Sequence, residues 1–132
     1  MKDLKRTRGE IAKMATGLFS VVSMPFEKTS EVQRQVLAAF AFGMSFAVGQ
    51  IEELSTPEVH ALALTMLMDV FRYSDHQAAA FAQDLIDSAS NRGNPTTNAI
   101  IHRGIDGHAQ WQQGQLLQLR ANLDAVFKAV QS

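Results

Sequence analysis

The stretch Val36-Leu-Ala-Ala-Phe-Ala-Phe-Gly-Met-Ser-Phe-Ala-Val48 is apolar on nearly every face of a helix. A helix that is apolar all round is buried all round. Its 13 residues fall short of the roughly 20 needed to cross a bilayer, so the stretch predicts a buried core helix and no membrane span. Ala39, Gly43 and Ala47 recur every fourth residue, and such small residues let neighbouring helices approach closely. The run Ser30-Glu-Val-Gln33 is a capping-box pattern that starts this helix, which is expected to end near Glu53. A helix of this kind is the centre of a bundle, so its neighbours should carry one-sided apolar stripes.

They do. Before it, Ile11, Met14, Ala15, Leu18 and Val22 fall at helical spacing and predict a first helix over residues 7–23 that Pro25 ends. After it, Ser55-Thr-Pro-Glu58 joins a cap, a proline in the first turn and an acid facing the helix dipole. The third helix then presents Val59, Leu62, Ala63, Met66, Val70 and Tyr73, widened by Leu64, Leu67 and Phe71, with His60 beside that stripe. Ser74-Asp-His-Gln77 is another capping box, opening a fourth helix to about Ser90 with Ala78, Phe81, Ala82, Leu85, Ile86 and Ala89 inward. No window alternates with period two between hairpin turns, so no sheet is expected. Short loops make sequential helices antiparallel neighbours. The expectation is a compact all-α bundle of five to six helices in a single domain, residues 1–132.

Composition agrees. The chain of 132 residues is 46% hydrophobic and 19% charged, ordinary for a globular domain. It has no cysteine, which excludes a disulfide scaffold, a cysteine zinc site and a cysteine nucleophile, and fits a reducing compartment. The net charge of −1 is unevenly spread: residues 51–100 carry two Lys/Arg against seven Asp/Glu. Lys2, Lys5, Arg6 and Arg8 precede an apolar run from Met14 to Phe26, but Glu10 and Lys13 interrupt the approach to it and no A-x-A-like cleavage pattern follows. Basic residues are sparse and form no stripe, which excludes a nucleic-acid partner.

The last third differs in kind. Asn91-Arg-Gly-Asn-Pro-Thr-Thr-Asn-Ala-Ile-Ile-His-Arg-Gly-Ile-Asp-Gly-His-Ala-Gln-Trp111 concentrates three glycines, two histidines and the only tryptophan. Asn, Thr, Gly and Asp are weak helix formers. Gly93 is expected to end the fourth helix as a left-handed C-cap, and Asn94-Pro95 to start a short fifth helix reaching about Arg103. Gly104 and Gly107 are expected to break or bend the chain. The last helix would then run from Gly107 or His108 to Val130, with Leu116, Leu119, Leu123, Val126, Phe127 and Val130 inward.

Few chemistries fit this stretch. His102 and Asp106 are four apart, the spacing of two metal ligands on one helix face, with His108 close by and Asp75-His76 a further source of ligands. Gly104 weakens that helix, and no HExxH or ExxH pair occurs. No G-x-S-x-G elbow, P-loop or dinucleotide fingerprint is present. No catalytic residue, cofactor or metal ligand is assigned. The alternative is a rigid corner in which Asn94, Asn98, His102, Arg103, Asp106, His108 and Trp111 fix the fold or face a protein partner. Arg and Trp are favoured interface anchors, and Arg103 and Asp106 are placed to pair with each other or to bond carbonyls at a helix interruption.

The run from Asn94 to Gly107, with its Ile101-His-Arg-Gly-Ile-Asp-Gly107 core and Trp111 after it, resembles the signature region of small all-helical immunity proteins from bacterial polymorphic toxin systems. The resemblance implies a non-enzymatic cytoplasmic antitoxin that binds a cognate toxin domain stoichiometrically. The acidic middle adds a basic, nuclease-like toxin. Two other readings stay open. One is a small helical metal- or ligand-binding enzyme using His102, Asp106 and His108. The other is a helical adaptor or homodimer, with the one-sided first and last helices either closing the bundle or pairing between chains.

Overall fold

A computed structural model describes residues 3–131; Lys2 of the basic amino-terminal run lies outside them. The described residues form six α-helices and no strand: α1 (Leu4–Val21), α2 (Glu31–Ile51), α3 (Thr56–Asp69), α4 (Asp75–Ala89), α5 (Pro95–Gln112) and α6 (Leu116–Gln131). The all-α reading holds.

The starts follow the caps. Ser30, Ser55 and Ser74 each accept a hydrogen bond from the N3 amide, while Gln33, Glu58 and Gln77 reach back to the cap amide. Those at Ser30 and Ser74 are the capping boxes expected from sequence, and at Ser55 the expected cap is also a full box; each satisfies two amides that a helix start leaves unpaired. The first helix begins earlier than expected, because the Asp3 carboxylate accepts from the Arg6 amide at 3.0 Å. It also ends earlier than Pro25 requires. Ser23 takes a positive φ of 55°, and the Met24 amide donates back to the Phe19 carbonyl at 2.9 Å, a Schellman closure.

α2 is the centre. From Val36 to Gly49 every residue except Phe46 is buried, and α1, α3, α5 and α6 all pack on it. Its one buried hydroxyl, Ser45, is satisfied by the Ala41 carbonyl at 2.9 Å. Phe40, Phe42, Met44 and Leu37 are fully enclosed, each stabilising by about 1.5–3 kcal/mol relative to exposure. The apolar core takes residues from all six helices. The stripes of α1 and α6 are spent within the chain: Ile11, Met14, Ala15 and Leu18, and Leu119, Leu123 and Val126, are buried. Leu116, expected inward, is instead half exposed, at 51%.

Three expectations about glycine are corrected. Gly104 and Gly107 neither break nor bend the chain; α5 runs unbroken from Pro95 to Gln112. The real break is at Gly114, with φ +70°. There the Gln115 amide donates to the Gln110 carbonyl at 2.8 Å and the Gly114 amide to that of Trp111 at 3.1 Å, again a Schellman closure. The last helix therefore starts at Leu116, well after His108. Nor is Gly93 the left-handed residue after α4; Asn91 is, with φ 62°.

The reason lies in the α2–α5 crossing. A Cβ on Gly104 would collide with the Phe40 carbonyl, and one on Gly43 with the Ile101 carbonyl. A Cβ on Gly107 would sit 2.5 Å from the Phe40 ring. A glycine inside a helix costs about 1 kcal/mol relative to alanine. Bringing two backbones into direct contact buries Ile100, Ile101 and Phe40, and that gain exceeds the local cost.

Candidate recognition surface

α5 carries all seven residues singled out from the sequence, or in the case of Asn94 is capped by it. The helix divides them. Asn94 and Asn98 build the α4–α5 corner. The Asn94 side chain accepts from the amides of Thr96 at 2.8 Å and Thr97 at 3.2 Å, and its own amide donates to the Ser88 hydroxyl at 3.2 Å. The Asn98 side-chain amide donates to the Ser88 carbonyl at 2.6 Å. Gly93 is required here by closeness, since a Cβ would stand 2.7 Å from the Ser88 hydroxyl.

His108 and Trp111 also serve the fold. His108 is buried among the packed helices, with Nε2 3.4 Å from the Gln112 side-chain nitrogen. Burial holds its pKa below the ordinary imidazole value, and the nearby Glu10 charge opposes that shift. The Trp111 indole lies over α1 at Gly17, where any Cβ would meet the ring.

His102, Arg103 and Asp106 do something else. All three are exposed on the outer face of α5. None has a side-chain hydrogen bond, ion pair or ring partner among the described residues. The expected Arg103–Asp106 pair is not formed. There are no interrupted carbonyls for them to serve either, because the helix is continuous. The metal arrangement is not assembled: His102 and Asp106 face outward, His108 inward, and Asp75 and His76 stand at the start of α4. No group of three or more His, Asp or Glu among the described residues is placed to hold a metal ion.

Two grooves flank the first half of α5, and the sequence did not announce either. One, of about 650 Å³, lies between α2, α4 and the α4–α5 corner and reaches Asn94 and Thr97. It holds three carboxylates, Glu31, Asp84 and Asp87, against one guanidinium, Arg92. Tyr73 forms part of its wall, packed edge-on against Phe81 with ring centres 5.6 Å apart. Its hydroxyl donates to Glu31 at 3.1 Å, and burial, then the Glu31 charge, pushes its pKa up to about 12. The other groove, of about 380 Å³, lies between α5 and α6. Ala99, Ile100, Ala125, Val126 and Val130 line it, with Arg103 beside them. A hint of both was present in the small residues of the outer faces, but grooves between helices depend on how the helices cross.

With this geometry in view, comparison with known families gives a match to the model for Immunity protein 48 over residues 9–131. The chain belongs to that family. Neither a curated protein nor a solved structure matches it. The match takes in most of α1 and all of α2 to α6. It bears out the resemblance to immunity proteins. No described helix is long and apolar enough to cross a membrane.

Proposed function

We propose that this protein is a cytoplasmic immunity protein that neutralises a cognate toxin domain by stoichiometric binding and not by turnover. The observation that carries this is the Immunity protein 48 match over residues 9–131. The outer face of α5 supports it, because His102, Arg103 and Asp106 are exposed there without intramolecular partners. Polar side chains that do nothing for their own fold are free to contact another protein.

The partner is a basic, nuclease-like domain. α3 and α4 carry Glu58, Asp69, Asp75, Asp84 and Asp87 and no Lys or Arg. Asp69 is paired with Arg8; the acidic excess that remains on these helices speeds encounter with a positive surface. Co-expression with the product of the adjacent gene tests the reading. The two should co-purify, and growth should be rescued; if neither occurs, neutralisation of a neighbour-encoded toxin is wrong. A homodimeric form is a second reading, favoured by Leu117 at the start of α6, which is 83% exposed. Sizing chromatography decides it.

A further inference from the structure

Five of the seven arginines have an acidic partner within the chain. Arg6 reaches Glu10 and Glu52, Arg8 Asp69, Arg34 Glu31, Arg72 Glu27 and Arg120 Asp124. Arg92 and Arg103 have none among the described residues. Each of these two stands at one of the grooves beside α5. Arg103, left unpaired beside apolar surface, has its planar donors available for a carboxylate from outside.

The grooves open on opposite flanks of one helix. At 3.6 residues per turn, Asn94 and Thr97 point to the α4 side, while Thr96, Ile100 and Arg103 point to the α6 side. His102 and Asp106 stand on the exposed crest between them, and Pro95 and Ala99 form its edge on the α6 side. Across this crest the charge changes sign. The α4 groove is acidic, and Asp84 in it has no partner among the described residues. The α6 groove is apolar and ends at the free Arg103.

We propose that the toxin is held astride the first half of α5, with a Lys or Arg side chain in the α4 groove and an apolar side chain in the α6 groove, followed by a carboxylate on Arg103. This rests on the immunity reading above. Complementary charge is the argument for the occupant. A partner with base, apolar anchor and acid in that order matches both grooves in only one orientation, so the pattern sets register as well as attraction. The short side chains of Pro95 and Ala99 at the edge of the α6 groove admit a partner backbone.

The test measures Kd for the purified product of the adjacent gene, catalytically inactivated, against wild type and four variants. Arg103→Glu, Asp84→Arg and Ala125→Glu should each weaken binding about thirtyfold or more, as expected for anchor positions. Lys13→Glu, beside the Trp111–α1 contact, should leave Kd within about threefold, the usual effect of a charge outside the contact. Thermal melting of all four should stay near wild type, because none of these side chains has an ion-pair partner within the fold. If wild type binds tightly and the three groove variants bind equally well, the surface is wrong while the immunity reading stands. If Lys13→Glu alone weakens binding, the toxin sits on the α1 side and the proposal is overturned. If wild type does not bind, both readings fall.

Discussion

The crossing of α2 and α5 and the ends of the helices use glycine in opposite ways. At the crossing, Gly43, Gly104 and Gly107 lie in helix interiors, where glycine is intrinsically poor. At the ends of α1 to α4, where a left-handed residue closes each helix, the chain places Ser23, Glu53, Arg72 and Asn91. Only α5 ends on glycine, at Gly114. Glycine offers two separate properties: freedom to take positive φ, and the absence of a Cβ. This chain uses chiefly the second. The left-handed turns are imposed by packing on residues that would avoid them, at about 1–2 kcal/mol each.

Breaking the crossing should have the largest effect. Gly104→Ala puts a methyl against the Phe40 carbonyl, and backbone atoms cannot move aside as a side-chain tip can. We expect a loss of about 3 kcal/mol, at the upper end of overpacking, read as a lower urea midpoint. Near-normal stability would mean that α2 and α5 are not in backbone contact. Acid should weaken the same region by a smaller amount. His108 is held neutral by burial, with its pKa lowered. Between that folded value and the ordinary value of about 6.5, the unfolded chain binds the proton more readily. Stability therefore rises with pH across that window and is lost as pH falls below about 6.5. The urea midpoint should drop between about pH 7.5 and about pH 5.5, and His108→Gln should drop less.

The helix ends should respond in the opposite direction. Glu53→Gly relieves an exposed left-handed residue and is expected to stabilise by about 1 kcal/mol, seen as a Tm increase of a few degrees. Asn91→Gly should gain less, because Asn tolerates that conformation. Equal gains at both would show that side-chain identity hardly matters at these turns. The smallest effect sharpens the contrast within glycine itself. Gly9 sits on exposed α1 with nothing near its missing Cβ, so Gly9→Ala should add about 0.5–1 kcal/mol from helix propensity. The same change at Gly104 lowers stability instead, which isolates contact from propensity.

The candidate surface was legible only in part. Dense polar residues from Asn94 to Trp111 marked the right helix, and Asn94 was recognisable as a cap. Which of the seven were structural was not. His102 and His108 are the same residue type six positions apart. One is exposed without a partner and the other is buried beside Gln112, because the helix turns them to different sides. That distinction needs the phase of α5, and the phase is unreadable if the helix is thought to stop at Gly104. The misplaced break and the unresolved roles are one error.

Helix starts, by contrast, are local chemistry. A serine oxygen and a Gln or Glu three residues later satisfy amides within one turn, so Ser30, Ser55 and Ser74 could be read directly. So could the burial of α2, since a run from Val36 to Val48 that is apolar on nearly every face leaves little room for water. These determine an all-α bundle around a central helix from sequence alone. The tertiary structure decided where glycine breaks a helix and where it joins two, which side chains of α5 are left free, and that grooves of different character flank it. Each of these depends on atoms far apart in the chain meeting at a distance where one methyl group changes the outcome, as at Gly43 and Gly104, and no local propensity encodes that meeting.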